Sequence, residues 1–111
     1  MIYAFTPTAA SGRIAYADDS TDISVSAPGA NALLIVNPDS ANVVAVAAGF
    51  TDGAVDAIVP TSDFNGSGVV VGPGQQMVMA LPGATYHAGN IFISVAGDSA
   101  TGNVFITPGV I

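Results

Sequence analysis

Ile23-Ser24-Val25-Ser26 alternates apolar and polar residues, the two-residue period of a strand with one solvated face. Ile91-Phe92-Ile93-Ser94-Val95 and Val104-Phe105-Ile106-Thr107 are more continuously apolar. Runs of that kind predict strands covered on both faces, by a second sheet or by a partner. Elsewhere, short segments rich in Val, Ile, Phe and Tyr are bounded by Gly, Pro, Asn or Asp, which is the strand signature. The pattern places strands near Ile2–Phe5, Arg13–Tyr16, Asp22–Ser26, Ala32–Asn37, Val43–Ala48, Ala57–Val59, Gly68–Val71, Gln76–Leu81, Ile91–Ala96 and Asn103–Thr107. The best helical stretch, Asp52 to Ile58, is limited to about two turns by Gly53, Val55 and Pro60.

The punctuation between these segments is specific. Gly72-Pro73-Gly74 forces a turn, because Gly reaches positive φ and Pro fixes its own. Asn65-Gly66 favours a tight turn. Asn37-Pro38-Asp39-Ser40 breaks the chain after Ala32–Val36, and Gly97-Asp98-Ser99-Ala100-Thr101-Gly102 reads as a hairpin loop. Turn signals recur about every 10 residues, the spacing of an all-β protein. The expected fold is a single-domain antiparallel β-sandwich or jelly-roll-like barrel over residues 1–111, with 1–10 as an extended N-terminal arm. No apolar run approaches the roughly 18 residues of a membrane span, and the N-terminus lacks the basic and apolar regions of a signal peptide.

Charge narrows the function. The chain has one cation, Arg13, and eight Asp as its only acids, for a net charge of −7, with a single His and no Cys. Affinity for nucleic acid, and for an anionic membrane surface, comes from Lys and Arg, so neither partner is expected. A nucleophilic triad would have to use His87, for which the sequence offers no nucleophile elbow. Paired-carboxylate chemistry would have to draw on Asp residues in turns. The expectation is a protein that is not an enzyme and holds no cofactor.

Asp18-Asp19-Ser20-Thr21-Asp22 is the densest acidic cluster and the single calcium candidate, through Asp18, Asp19 and Asp22, although its spacing is not that of an EF-hand and a solvated turn accounts for it. Gly66-Ser67-Gly68-Val69-Val70-Val71-Gly72 lacks the Lys and following helix of a phosphate loop. Asn65-Gly66-Ser67 matches a glycosylation sequon. Met77 and Met79 suit either core filling or an adaptable interface strand.

Low charge also bears on sheet edges, which soluble proteins usually protect with Lys, other charges or Pro. Strands without such protection predict a chain whose edges are buried in a homodimer, a homotrimer or a larger assembly.

Several stretches carry a resemblance. These are Ile2-Tyr3-Ala4-Phe5-Thr6-Pro7-Thr8 at the start, Leu34-Ile35-Val36-Asn37 followed by Val43-Ala45-Val46, and Val71-Gly72-Pro73-Gly74 leading to Met77-Val78-Met79. The chain closes on Gly102-Asn103-Val104-Phe105-Ile106-Thr107-Pro108-Gly109. In this order the chain resembles small structural proteins of tailed bacteriophages, among them capsid cement, or head-decoration, proteins. Residues 52–64 have no counterpart in that pattern. The resemblance implies a virion protein made in the bacterial host cytoplasm, placed on the capsid surface and bound to the major capsid protein across capsomer junctions. The contacts expected are Ile2, Tyr3 and Phe5 from the N-terminal arm and Val110 and Ile111 from the C-terminus. These same residues would equally complete the protein's own sheet. Other readings compatible with the sequence are another phage structural role (head–tail joining, spike or fibre base) and a non-viral β-sandwich binding module.

Overall fold

The computed structural model of the chain describes residues 5–16, 21–50, 56–59, 66–81, 90–97 and 101–111. Among them lie nine strands and no helix: β1 (Thr6–Pro7), β2 (Gly12–Tyr16), β3 (Thr21–Ser26), β4 (Ala32–Val36), β5 (Val44–Gly49), β6 (Val69–Val71), β7 (Gln76–Ala80), β8 (Asn90–Gly97) and β9 (Gly102–Val110). Every strand pair is antiparallel. One sheet has the order β1-β9-β4-β7, with β2 continuing β1 along the same edge of β9, and the other has the order β3-β8-β5-β6.

The pairing is nested. β2 pairs with β9, β3 with β8, β4 with β7 and β5 with β6, as in one long hairpin. Folding that hairpin over brings β9 beside β4 and β8 beside β5. With β1 and β2 taken as one interrupted strand, this is the eight-stranded jelly roll. The chain is therefore an all-β sandwich, as the spacing of strands and turns predicts.

Two Pro-Gly turns carry the chain between the sheets. Ala30 N–H donates to the Ala27 carbonyl (3.2 Å) around Pro28-Gly29, and Gln75 N–H donates to the Gly72 carbonyl (3.2 Å) around Pro73-Gly74. Gly29 and Gly74 have φ of 78° and 68°. Pro before a positive-φ Gly is the type II turn, which needs the missing Cβ at its third position. The first turn leads from β3 to β4 and the second from β6 to β7, each time into the other sheet.

The core lies between the sheets. Leu33 and Ile35 of β4 and Val104 and Ile106 of β9 face Val44 and Val46 of β5 and Ile91, Ile93 and Val95 of β8, all essentially inaccessible. Burial in β3 alternates along the strand, with Ile23 and Val25 packed against the core and Asp22, Ser24 and Ser26 outside.

Several expectations need correction. Gly97 to Gly102 joins no hairpin, because β8 and β9 belong to different sheets, and the jelly roll makes this connection a crossing. In the predicted strand Ala57–Val59 only Ile58 makes a bridge, to Ser67. Of Asp52 to Ile58, the best helical stretch in a chain expected to hold little or no helix, Asp56–Ile58 is not helical and 52–55 lie outside the described residues. The strand expected at Ile2–Phe5 is not seen at Phe5, its one described residue, and β1 begins at Thr6 instead. β9 runs to Val110, beyond the predicted end at Thr107.

Candidate interaction surface

The outer faces of the two sheets differ. On the β3-β8-β5-β6 sheet the outward positions of β5 and β8 include Ala45, Ala47, Ala96 and Ser94, all buried. Residues 56–59 cover them. Ala57 packs into the alanine cluster with Val59 against it, and its N–H donates to Ser94 Oγ (2.8 Å). Small side chains let this segment lie close, so the outer face of β8 is covered at Ser94 and Ala96 from within the chain.

The outer face of the other sheet carries larger apolar groups. One row across the strands reads Arg13, Phe105, Val36, Gln76, and the next reads Thr107, Leu34, Val78. Phe105 is 41% exposed, and Leu34, Val36 and Val78 are half-buried. Arg13 is exposed at the end of the first row. The described carboxylates lie elsewhere: Asp22 on β3, Asp39 in the β4–β5 connector and Asp56 beside the other sheet. Ser11 and Thr107 hydroxyls hydrogen-bond at 2.6 Å on the β2 side. The result is a nearly neutral apolar patch on a chain of net charge −7. The predicted cover on both faces of Val104–Thr107 is thus incomplete at Phe105 among the described residues.

One end of the sandwich is held by polar groups. Asn37 is fully buried, and its Nδ2 donates to the carbonyls of Asn42 (2.8 Å), Val71 (3.2 Å) and Gly72 (3.1 Å). Its backbone N–H donates to the Gln75 carbonyl (2.9 Å), and Gly74 N–H donates to the Asp39 carbonyl (2.8 Å). The β4–β5 connector is therefore tied to the Pro73-Gly74 turn. Asp39 Oδ1 accepts from the N–H groups of Ala41 (2.7 Å) and Asn42 (2.8 Å), which hold its carboxyl below the usual carboxylate range. Tyr16 is buried with its hydroxyl beside Asn42 and Asp39, and burial pushes its phenol up.

The Asp39 shift has a sign that can be tested. A carboxyl with a folded-state pKa below its unfolded value stabilises the fold above the unfolded value, and that contribution is lost as pH falls through the folded one. Wild-type protein and Asp39→Asn should therefore differ in thermal stability near neutrality and converge as pH drops below about 4. Melting curves across pH measure the gap, and a gap that is constant with pH would contradict the assignment.

Of the contact residues expected from the sequence, Ile2 and Tyr3 lie outside the described residues. Phe5 is half-buried, and its ring lies over Gly109, where an added Cβ would sit 2.5 Å from Cζ. Val110 pairs with Thr6 in the β1–β9 ladder. Ile111 is 52% exposed, with its N–H donating to Asn31 Oδ1 (3.0 Å). Val110 thus takes part in the chain's own sheet, and Phe5 packs its ring on β9 beside it. Of the calcium candidates, Asp18 and Asp19 lie outside the described residues, and Asp22 is exposed on β3. No metal-ligating cluster occurs among the described residues. His87 and Asn65 of the sequon also lie outside them.

The sequence marks none of Phe105, Leu34, Val36 and Val78 as a contact residue. The signal for two of the strands was present, since Val104-Phe105-Ile106 and Leu33-Leu34-Ile35-Val36 are apolar at consecutive positions and so apolar on both faces. A small opening of about 50 Å³ between the sheets is lined by apolar residues and glycine, among them Ile14, Ile23, Val25 and Ile106, and presents no polar side chain. Comparison with protein-family models, curated proteins and solved structures gives no match to this chain.

Proposed function

We propose that the chain is a non-enzymatic virion structural protein, a capsid cement protein that binds the assembled major capsid protein across capsomer junctions on a phage head. The observation that carries this reading is the uncovered apolar face of Phe105, Val36, Leu34 and Val78, free of described carboxylates on a strongly acidic chain. Contiguous exposed apolar surface marks sites of association. The jelly roll is compatible with this role, since capsid domains use it, although lectins and cupins do too.

The physical role follows from linkage. A protein that binds the assembled shell and not free subunits stabilises assembly by mass action. Contacts repeated by shell symmetry add avidity without any single strong contact. The protein would act as a passive clamp, with no proton transfer and no cofactor.

Purified protein added to DNA-filled heads lacking it should sediment with the heads, remain in the supernatant with unassembled capsid subunits, and raise the temperature at which the heads release DNA. Equal binding to free subunits, or binding without any change in release temperature, would contradict the cement role.

A further inference from the structure

We infer that the free edge of β7 is a two-fold self-association site, where a second copy of this chain extends the β2-β9-β4-β7 sheet antiparallel. The site gives a specific form to the oligomer expected from the unprotected strands and does not depend on the shell-binding role.

The sheets have four lateral edges. β1 and β2 are interrupted by residues 8–11 and carry Pro7 and Arg13. β3 carries Asp22 and presents Ser24 and Ser26 outward. β6 has three residues. Breaks, Pro, charge and shortness are the usual protections of an edge. β7, Gln76-Met77-Val78-Met79-Ala80, has none of them.

The direction of its backbone groups follows from the register. Asn37 N–H donates to the Gln75 carbonyl, and Leu81 N–H donates to the Asn31 carbonyl. Met77 and Met79 lie opposite Ile35 and Leu33 at two-residue intervals between those bonds, so they too turn their backbone groups toward β4. The N–H and C=O groups of Gln76, Val78 and Ala80 therefore point away from the sheet. Gln76 and Ala80 are exposed.

The same edge leaves the core unfinished. Met77 shares the inner face with Ile35 and Met79, yet it is 37% exposed, and among the described residues no strand lies beyond it. A two-fold axis through Val78 places Val78 opposite its copy, Gln76 opposite Ala80 and Met77 opposite Met79. The partner's thioether side chain then covers Met77, and no like charges meet. Two copies of β3 would instead bring a second Asp22 to the interface, on a chain already at −7. Self-complementarity and neutrality together select a second copy as the occupant of β7.

Sedimentation equilibrium of the full chain between about 10 µM and 1 mM, the range expected of a small interface, should show mass rising toward twice 10.9 kDa. Hydrogen exchange should show the amides of Gln76, Val78 and Ala80 protected only at high concentration, with Met77 and Met79 protected throughout. Val78→Pro removes an N–H that the monomer fold does not use, and Pro is tolerated at such edge positions. This variant should keep the fold and lose the dimer. If it fails to fold, the double variant Gln76→Lys, Ala80→Lys, at two exposed positions, gives the same reading through like charges set opposite each other. A monomer at 1 mM, a trimer, or a dimer that survives the lysine pair would each overturn the inference, whether or not the protein binds heads.

Discussion

Asn37→Asp should lower the unfolding free energy by about 3 kcal/mol or more near neutral pH. The substitution is almost isosteric, so the loss is not one of packing. Nδ2 stands within hydrogen-bond distance of the carbonyls of Asn42, Val71 and Gly72, and Asn37 is fully buried. A carboxylate in its place would turn an acceptor oxygen toward three acceptors while itself losing hydration. The connector after β4 and the turn before β7 would then lose the side chain that joins them.

The same substitution has a distinctive pH dependence. The carboxyl introduced at position 37 would have a folded-state pKa raised above its unfolded value by burial and by the facing carbonyls. Its protonated form regains a donor. The deficit relative to wild type is therefore largest above the folded-state value and shrinks as pH falls toward the ordinary carboxylate range of about 4. This is the reverse of wild-type Asp39, whose contribution is lost on acidification. Denaturant titrations at several pH values measure both, and a deficit at position 37 that grows with acid would contradict the hydrogen-bond geometry.

Local signals were read well where one residue type decides the outcome. Pro73-Gly74 is a turn because those two residues leave the backbone little alternative. The alternation in Ile23-Ser24-Val25-Ser26 is the burial alternation of β3. Connectivity was less legible, because a loop's composition does not say whether it returns to the same sheet. Gly97 to Gly102 looks like a hairpin loop locally, and only the pairing of β8 with β3 and β5 makes it a crossing.

The interaction surface was hidden for a similar reason. Consecutive apolar residues in β8 and β9 gave the same expectation of two covered faces. On β8 the cover is the segment around Ala57, whereas on β9 Phe105 remains open. Pattern alone does not tell an internal cover from an external one. Asn37 was legible as a break after β4, but not as a buried donor, since its acceptors lie mostly 34 and 35 residues away.

The second large effect concerns binding. Phe105 lies directly across from Arg13, so Asp at this exposed position gains a neighbouring cation and should leave the fold intact. In an interface, the same carboxylate would be desolvated amid Val36, Leu34 and Val78. Losing a central aromatic contact costs about 2 kcal/mol or more, which is roughly 30-fold at one site, and repetition around a shell multiplies the loss. Ser24→Asp, outward on β3 of the opposite sheet, adds the same charge away from that patch.

The most direct measurement is the affinity of the wild-type chain, Phe105→Asp and Ser24→Asp for DNA-filled heads, compared at matched thermal stability. Loss of binding by at least about tenfold for Phe105→Asp, with Ser24→Asp close to wild type, is the expected result. Undiminished binding by Phe105→Asp, or an equal loss for both, would contradict the assignment of this face as the one that grips the shell.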